Sequence, residues 1–356
     1  MRQLFQFMIF FAVFITIYLS LNSYVILRLA GMLKVNHRAY LYGLIAFVVL
    51  GFPIATSIEK FFPNIISRIL YTISSLWMGI VFLLFSGLIL YELSRLFIRI
   101  DPFKAATTII IIVICLTVFA TINAFFINVK TIDLPIEGLK QDLKVVQLSD
   151  IHVGTIRNSG YLEKIAKKIN DIDPDIVLIT GDLVDGTAPL QPKMFDGLNR
   201  LRARIFFVSG NHEIYEGVDK VCALFNDSKI KVLKNEAVSF DGIQVVGVNF
   251  SESRSHLKEV LPNIKLDQKK PAILMYHPPT ETETANEYGI DLQLSGHTHK
   301  GQIYPFNLLT MAVFPRYTGL HNIKGTYLYI SPGTGTWGPY MRLGSRNEIT
   351  VFNLKA

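Results

Sequence analysis

Long apolar runs fill the first third of the chain, and short apolar runs broken by polar turns fill the rest. The long runs cover about residues 4–26, 39–58, 70–93 and 105–127, each enough to cross a bilayer as a helix. Core helices of a soluble protein would be shorter and would carry charges, which these runs lack. The first run exceeds the apolar core of a secretion signal, and no small-residue cleavage site follows it. Glu92 is the one acid inside a run and lies near its end. Transporters and channels keep ionisable groups near mid-bilayer, so these segments read as an anchor that can present lipid.

Beyond residue 128 the pattern changes. Residues 129–134 and 143–149 read as strands separated by a turn over 135–142. Ser159 reads as a helix cap, and residues 161–169 repeat their apolar positions at helical spacing. Apolar runs at 176–179, 205–208, 272–275, 292–294, 326–330 and 349–354 predict further strands, with short strand-like runs between 230 and 250. A second amphipathic stretch lies near 194–201. The alternation predicts two sheets face to face with helices outside. The expected domains are a membrane region over 1–127, with four transmembrane helices, and an α/β domain over 128–356.

Composition refines this picture in two places. The formal charge of +7 is explained by basic loops beside the membrane runs, and no basic stripe with interleaved aromatics suggests a nucleic-acid partner. Cys115 and Cys222 fall in a membrane run and a predicted helix, so no disulfide framework is expected.

The candidate chemistry lies in five short motifs: Asp150-Ile151-His152, Gly181-Asp182, Gly210-Asn211-His212-Glu213, His277-Pro278-Pro279 and Gly296-His297-Thr298-His299. Each falls just past the end of a predicted strand, the edge where open α/β sheets collect ligands. Together they offer carboxylates, an amide oxygen and imidazoles. That set is too large for one zinc site and suits two metals sharing a bridging ligand. His37, His256 and His321 sit outside these motifs and read as ordinary surface or core residues.

The order Asp-X-His, Gly-Asp, Gly-Asn-His-Glu, lone His and Gly-His-X-His resembles the calcineurin-like metallophosphoesterase family, over residues 128–356. The tail Ser331-Pro332-Gly333-Thr334-Gly335-Thr336, followed by Arg342, is similar to its membrane-associated branch. That branch includes relatives of UDP-2,3-diacylglucosamine hydrolases and transmembrane proteins with a metallophosphoesterase domain. The resemblance implies a multi-pass α-helical membrane region followed by an α/β four-layer αββα sandwich.

It also implies roles. Asp150, His152 and His299 would bind one divalent ion, Asn211, His277 and His297 a second, and Asp182 would bridge them. Manganese, iron or zinc all suit these ligands. A metal-bridging hydroxide would attack phosphorus. His212 would be the catalytic residue, stabilising the transition state and protonating the leaving oxygen, oriented by Glu213 or another acid. Asp185 reads as a partner of a ligand, or with Glu213 as a helix cap. Arg342 reads as a phosphate-binding guanidinium or a surface ion pair, and Gly333-Thr334-Gly335 as a substrate-facing loop or a turn.

The expected function is therefore hydrolysis of a phosphate ester or pyrophosphate, with a lipid-linked or envelope-precursor substrate and membrane lipid as partners. The alternatives are a nucleotide or cyclic-nucleotide phosphodiesterase, and a membrane scaffold with an inactive phosphoesterase fold. Apolar residues such as Trp337, Tyr340 and Phe306 are candidates for a lipid-facing surface. Arg28, Lys34, Arg38, Arg95, Arg99 and Lys104 outnumber Arg2, Lys60, Arg68 and Lys130 on the opposite side. The positive-inside rule then places the catalytic domain outside the cytoplasm, on the cell or inner membrane.

Overall fold

The computed structural model describes residues 2–186 and 188–356; the side chains of residues 2–7 and 10, Arg2 among them, lie outside that description. The chain forms two compact units. One comprises Met1–Ile122 with Gly338–Met341, the other Asn123–Trp337 with Arg342–Ala356.

Four helices make up the first unit: α1 (Arg2–Met32), α2 (Arg38–Phe61), α3 (Ile65–Ser94) and α4 (Pro102–Asn123). All four are long and apolar enough to cross a membrane. Large apolar side chains such as Phe47, Ile73 and Ile122 face outward, a surface suited to lipid rather than water. The helices outrun the apolar segments at several ends, which brings Arg28 into α1 and Glu59 into α2. Arg28 and Arg95 both bind the Glu92 carboxylate, at 2.6 and 3.0 Å. Asn64 caps α3 by accepting from the backbone N–H of Ile66 and Ser67, and the Ser67 hydroxyl donates to buried Glu59. The fourth apolar run reaches residue 127, but α4 ends at Asn123 because Ile127 already pairs with Asn347 in a sheet.

The second unit holds twelve described strands: β1 (Ile127–Pro135), β2 (Leu143–Leu148), β3 (Ile176–Thr180), β4 (Arg204–Val208), β5 (Ile230–Val232), β6 (Glu236–Phe240), β7 (Ile243–Val248), β8 (Ala272–Tyr276), β9 (Leu292–Ser295), β10 (Gly319–Ile323), β11 (Thr326–Ile330) and β12 (Asn347–Lys355). Its helices are α5 (Ser159–Ile172), α6 (Asp196–Asn199), α7 (Asn211–Glu216), α8 (Val218–Ala223), α9 (His256–Val260), α10 (Thr282–Glu287) and α11 (Phe306–Val313). The strands form two six-stranded sheets, ordered β1-β12-β2-β3-β4-β5 and β10-β11-β9-β8-β7-β6. β2 to β5 are mutually parallel, as are β7, β8, β9 and β11.

Side-chain alternation explains the layering. In β2, Leu143 and Val145 point into the core between the sheets, with Ile176 and Leu178 of β3 and Met275 and Leu294 of the second sheet. Val146 and Leu148 point the other way, onto Leu162, Ile165 and Ile169 of α5. The second sheet does the same, with Val246, Leu274 and Tyr276 packing under Leu257 and Ala285. Strands buried on both faces read as continuous apolar runs, as these do. Each such Val, Leu or Ile contributes roughly 1.5–3 kcal/mol. This is the four-layer αββα sandwich. Gln147 interrupts the apolar core: its amide donates to Thr180 Oγ1 and to the Ser295 carbonyl, both at 2.9 Å. It joins the two sheets directly beneath the motif-bearing edge.

Two local readings change. The residue before α5 is Asn158, and Ser159 is the first helical residue, with no side-chain cap at either. The stretch near 194–201 forms a short 3-10 turn, Pro192–Phe195, and the four-residue α6.

Candidate metal centre

All eight site residues expected from the sequence converge on one edge of the sandwich. Asp150 and His152 follow β2, Asp182 follows β3, and Asn211 and His212 open α7 after β4. His277 follows β8, and His297 and His299 follow β9. Parallel strands end on the same side, so three loops of one sheet face two of the other. Among the described residues three groups have ligand atoms within 4.8 Å of one another: Asp150 with His152 and His299, Asp182 with His277 and His297, and His152 with Asp185 and His212.

The distances describe a cage of lone pairs. His277 Nδ1 donates to the Thr180 carbonyl at 2.8 Å, which leaves Nε2 facing Asn211 Oδ1 at 3.2 Å, Asp182 Oδ2 at 3.2 Å and His297 Nδ1 at 3.3 Å. Asn211 Oδ1 is 3.0 Å from His297 Nδ1. On the other side, His152 Nε2 and His299 Nε2 stand 3.0 Å apart, with Asp150 Oδ1 3.4 Å from His299 Nε2. The second rings' Nδ1 atoms, on His152 and His299, are buried without a hydrogen-bond partner. Asp182 Oδ2 reaches both groups, 3.2 Å from His277 and 3.8 Å from His152. Acceptors this close, without enough protons to separate them, fit divalent cations. The oxygen and nitrogen donors, without thiolate, suit manganese, iron or zinc.

Electrostatics points the same way. Burial raises Asp150. Burial also works to raise Asp182, but the facing His277 overrides it and holds Asp182 well below the usual carboxylate range. For His277 burial favours the neutral ring, yet Asp182 and Asp150 lift it to about 10. Burial and the His277 charge push His297 down to about 4, and burial with His152 holds His299 well below the usual range. The carboxylates thus draw positive charge to the centre while two of the imidazoles keep free lone pairs.

The backbone is strained where these side chains converge. Asp150, His152, Asp182, His297 and His299 all have φ between 50° and 71°. That left-handed region costs a non-glycine residue about 1–3 kcal/mol and collects at functional sites. Two glycines act by close approach. A Cβ on Gly296 would lie 2.0 Å from Ser149 Oγ and 2.1 Å from Asp150 Oδ2, and one on Gly210 would lie 2.3 Å from Asp182 Oδ1.

The surrounding shell departs from the sequence reading. Glu213 does not meet His212. Its carboxylate accepts from the backbone N–H of Gly210 at 2.6 Å, Asp182 at 2.9 Å and Val184 at 3.0 Å, pinning the Asp182 loop while capping α7. Burial, then the Asp182 charge, pushes Glu213 up to about 7. The Asp185 carbonyl orients His212 instead, accepting from Nδ1 at 3.0 Å. Burial and the His152 charge lower the His212 pKa. The Asp185 carboxylate stands 3.6 Å from His152 Nδ1.

Arg342 is neither exposed nor free to bind a phosphate. It is fully buried and donates to the His299 carbonyl at 3.0 Å, Asn347 Oδ1 at 2.9 Å and the Gly335 carbonyl. Gly333-Thr334-Gly335 backs the Asp150 loop: Thr334 N–H donates to the Ser149 carbonyl and Gly335 N–H to the Asp150 carbonyl. A second buried arginine, Arg157, lies over the Tyr161 ring and donates to the Ala124 carbonyl at 2.9 Å. Aromatic rings flank the centre. Phe314 and Phe250 lie 5.5 and 6.2 Å from the His297 ring, and Tyr215 and Trp337 lie 5.6 and 6.4 Å from His212. Motif spacing carries no signal for Phe250, Phe314 and Trp337, which come from segments distant in sequence, whereas Tyr215 follows His212 by three residues in α7.

Comparison with known proteins bears on this centre. The family model described as calcineurin-like phosphoesterase matches residues 143–301, a span that contains every candidate ligand. An uncharacterized metallophosphoesterase of Campylobacter jejuni is 30% identical over 98% of this chain and 99% of its own length. An uncharacterized metallophosphoesterase of Helicobacter pylori is 35% identical over 64% of each chain. A Bos taurus protein named transmembrane protein with metallophosphoesterase domain is 34% identical over 64% of this chain and 57% of its own. This chain therefore spans less than two thirds of the Helicobacter and cattle proteins. With its strand-end motifs intact and a relative matched from end to end, the chain belongs to the calcineurin-like metallophosphoesterase family.

Proposed function

We propose that this chain is a membrane-anchored phosphoesterase that holds two divalent ions and hydrolyses a phosphate ester or pyrophosphate borne by a lipid or envelope precursor. Asp150, His152 and His299 would hold one ion, Asn211, His277 and His297 the other, and Asp182 would serve both. The observation that carries this reading is the convergence of Asp182 Oδ2 on His277 and His152, at 3.2 and 3.8 Å, between two separate groups of imidazoles. Bound ions would polarise the phosphoryl oxygen and activate water. The remaining work falls to the chain. His212 Nδ1 donates to the Asp185 carbonyl, which leaves the Nε2 lone pair to take up the proton that the attacking water gives up and then hand it to the leaving oxygen. Glu213 keeps the Asp182 loop rigid by accepting from Asp182 and Val184 N–H and ties it to the start of α7 by accepting from Gly210 N–H.

The lipid assignment draws on the edge of the centre. Trp337 and Tyr215, beside His212, are 49% and 67% exposed, and Phe250 and Phe314 flank His297. Such a rim favours an apolar group next to the phosphate. Four apolar helices in the same chain supply the membrane. A nucleotide or cyclic-nucleotide diester is the second reading, favoured by the same rings as stacking surfaces. The full chain, loaded with manganese, separates them in a panel of lipid-linked and nucleotide phosphoesters. Faster turnover of lipid-linked esters is expected, and faster turnover of nucleotides would overturn the lipid assignment.

The catalytic unit is assigned to the outer side of the cell or inner membrane by the excess of basic residues flanking the apolar runs on the side of the α1–α2 and α3–α4 connections. Arg28 and Arg95 gather on Glu92 at that end of the bundle. A phosphatase reporter fused after Ala356 should be active. Bright cytoplasmic fluorescence from the matching fusion, with an inactive phosphatase reporter, would reverse the assignment.

A further inference from the structure

α11 is inside out for a helix in water. Among its eight residues Thr310 is buried, while Phe306, Leu308, Leu309, Met311 and Val313 are 42 to 70% exposed. No charged residue interrupts it, and cations stand at both sides, Lys300 before it and Arg316 after it. Arg316 also reaches Glu283 at 3.4 Å. Water gives no reason to keep five large apolar side chains outward, whereas the interface of a membrane does.

Two further observations select a bilayer as what covers this face. Residues 124–126 alone connect α4, apolar and long enough to span a membrane, to β1. The domain that carries α11 is therefore tethered at a membrane surface. The connecting Phe125 and Phe126 are themselves 61% and 65% exposed. The flanking cations match anionic headgroups.

We infer that α11 is a membrane-docking wedge whose apolar side chains enter the acyl region of the leaflet. Its position gives docking a consequence. The helix directly follows the loop that carries His297 and His299, and a Cβ on Gly301 would lie 2.3 Å from Asn307 Cα, so loop and helix are packed without space between them. At the helix's far end Phe314 meets the His297 ring edge-on at 5.5 Å. Insertion of α11 therefore carries the ligand loop to headgroup depth. This goes beyond the proposed chemistry and holds whichever phosphoester is cleaved.

The test uses the full chain, with Cys115→Ala and Cys222→Ala, in vesicles of phosphatidylcholine and phosphatidylglycerol. Single cysteines replace Leu309, Val313 or, as a control, Lys269, which is exposed just before β8 at the opposite edge of the sheets. Each is labelled with an environment-sensitive fluorophore. Labels at Leu309 and Val313 should shift to the blue and lose most of their emission when the lipids carry a quencher high on the acyl chain, while the Lys269 label should do neither. Both α11 positions are exposed, so the labels leave the core intact, and agreement between them excludes a local artefact. Quenching at both no greater than at Lys269 overturns the inference. A blue shift without lipid quenching also overturns it, since protein would then cover the face.

Discussion

Replacing Arg342 by glutamine should loosen the metal centre without touching a ligand. The guanidinium makes five hydrogen bonds in a fully buried position: Nε to Asn347, Nη1 to the His299 carbonyl and to Ser345, and Nη2 to the Gly333 and Gly335 carbonyls. Glutamine is shorter, neutral and has a single NH2 group, so it leaves most of these acceptors buried and unmatched. Leaving a buried acceptor without its partner costs about 1–3 kcal/mol. The part that falls on the His299 loop should appear as weaker metal binding, since groups that orient a ligand are worth about 10–100-fold in affinity. Lysine keeps the charge but not the planar fork, and should recover stability more than affinity. The assay is competition with a chelator on the full chain in detergent, alongside thermal unfolding of the metal-loaded protein. Metal affinity within about threefold of the parent, with an unchanged melting temperature, would refute the assigned role.

Other expectations follow from the same geometry. His212→Ala should lower turnover by about 100-fold or more and leave metal content nearly intact, with a smaller loss for esters of good leaving groups; metal analysis beside kinetics checks both parts. Gly296→Ala places a Cβ 2.0 Å from Ser149 Oγ and 2.1 Å from Asp150 Oδ2, so metal content and activity should both fall; a fully loaded, active variant would show that the two loops do not meet as described. Gly247→Ala puts a Cβ 2.2 Å from Leu233 Cβ and 2.9 Å from Val208 Cγ1 in the core between the sheets. It should cost about 1–3 kcal/mol of stability and leave metal affinity unchanged, which unfolding and chelator titration together test.

Much of the fold was legible because its strands are buried on both faces and read as unbroken apolar runs, each ending in a motif. That arrangement placed Asp150, Asp182, Asn211, His277 and His297 on one edge before any coordinates. Periodicity reports which residues are buried, not which carbonyl a buried side chain meets, and this is why Arg342 was misread. A guanidinium satisfied by loop carbonyls looks, in sequence, like one that is free for phosphate or paired on the surface. Of the two readings of Glu213, the helix cap holds and the contact with His212 does not: successive residues of a helix point apart, and the carboxylate turns to the backbone N–H groups of Gly210, Asp182 and Val184. The cap of α5 and the break-up of residues 194–201 fall at element ends, where local preferences differ little. Of the outward face of α11 only Phe306 was legible, as a lipid-facing candidate; a short apolar stretch without polar positions has no periodicity to show a helix or which of its sides is covered.

The central claim is that Asp182 joins two ion sites. Metal per chain, measured for the parent protein and for Asp182→Asn alongside turnover of a phosphoester, tests it most directly. The parent should bind about two equivalents and lose activity on chelation. Asp182→Asn should lose at least one of them and nearly all turnover, because a neutral amide cannot serve two cations. Near-normal turnover by Asp182→Asn with both ions still bound would contradict it.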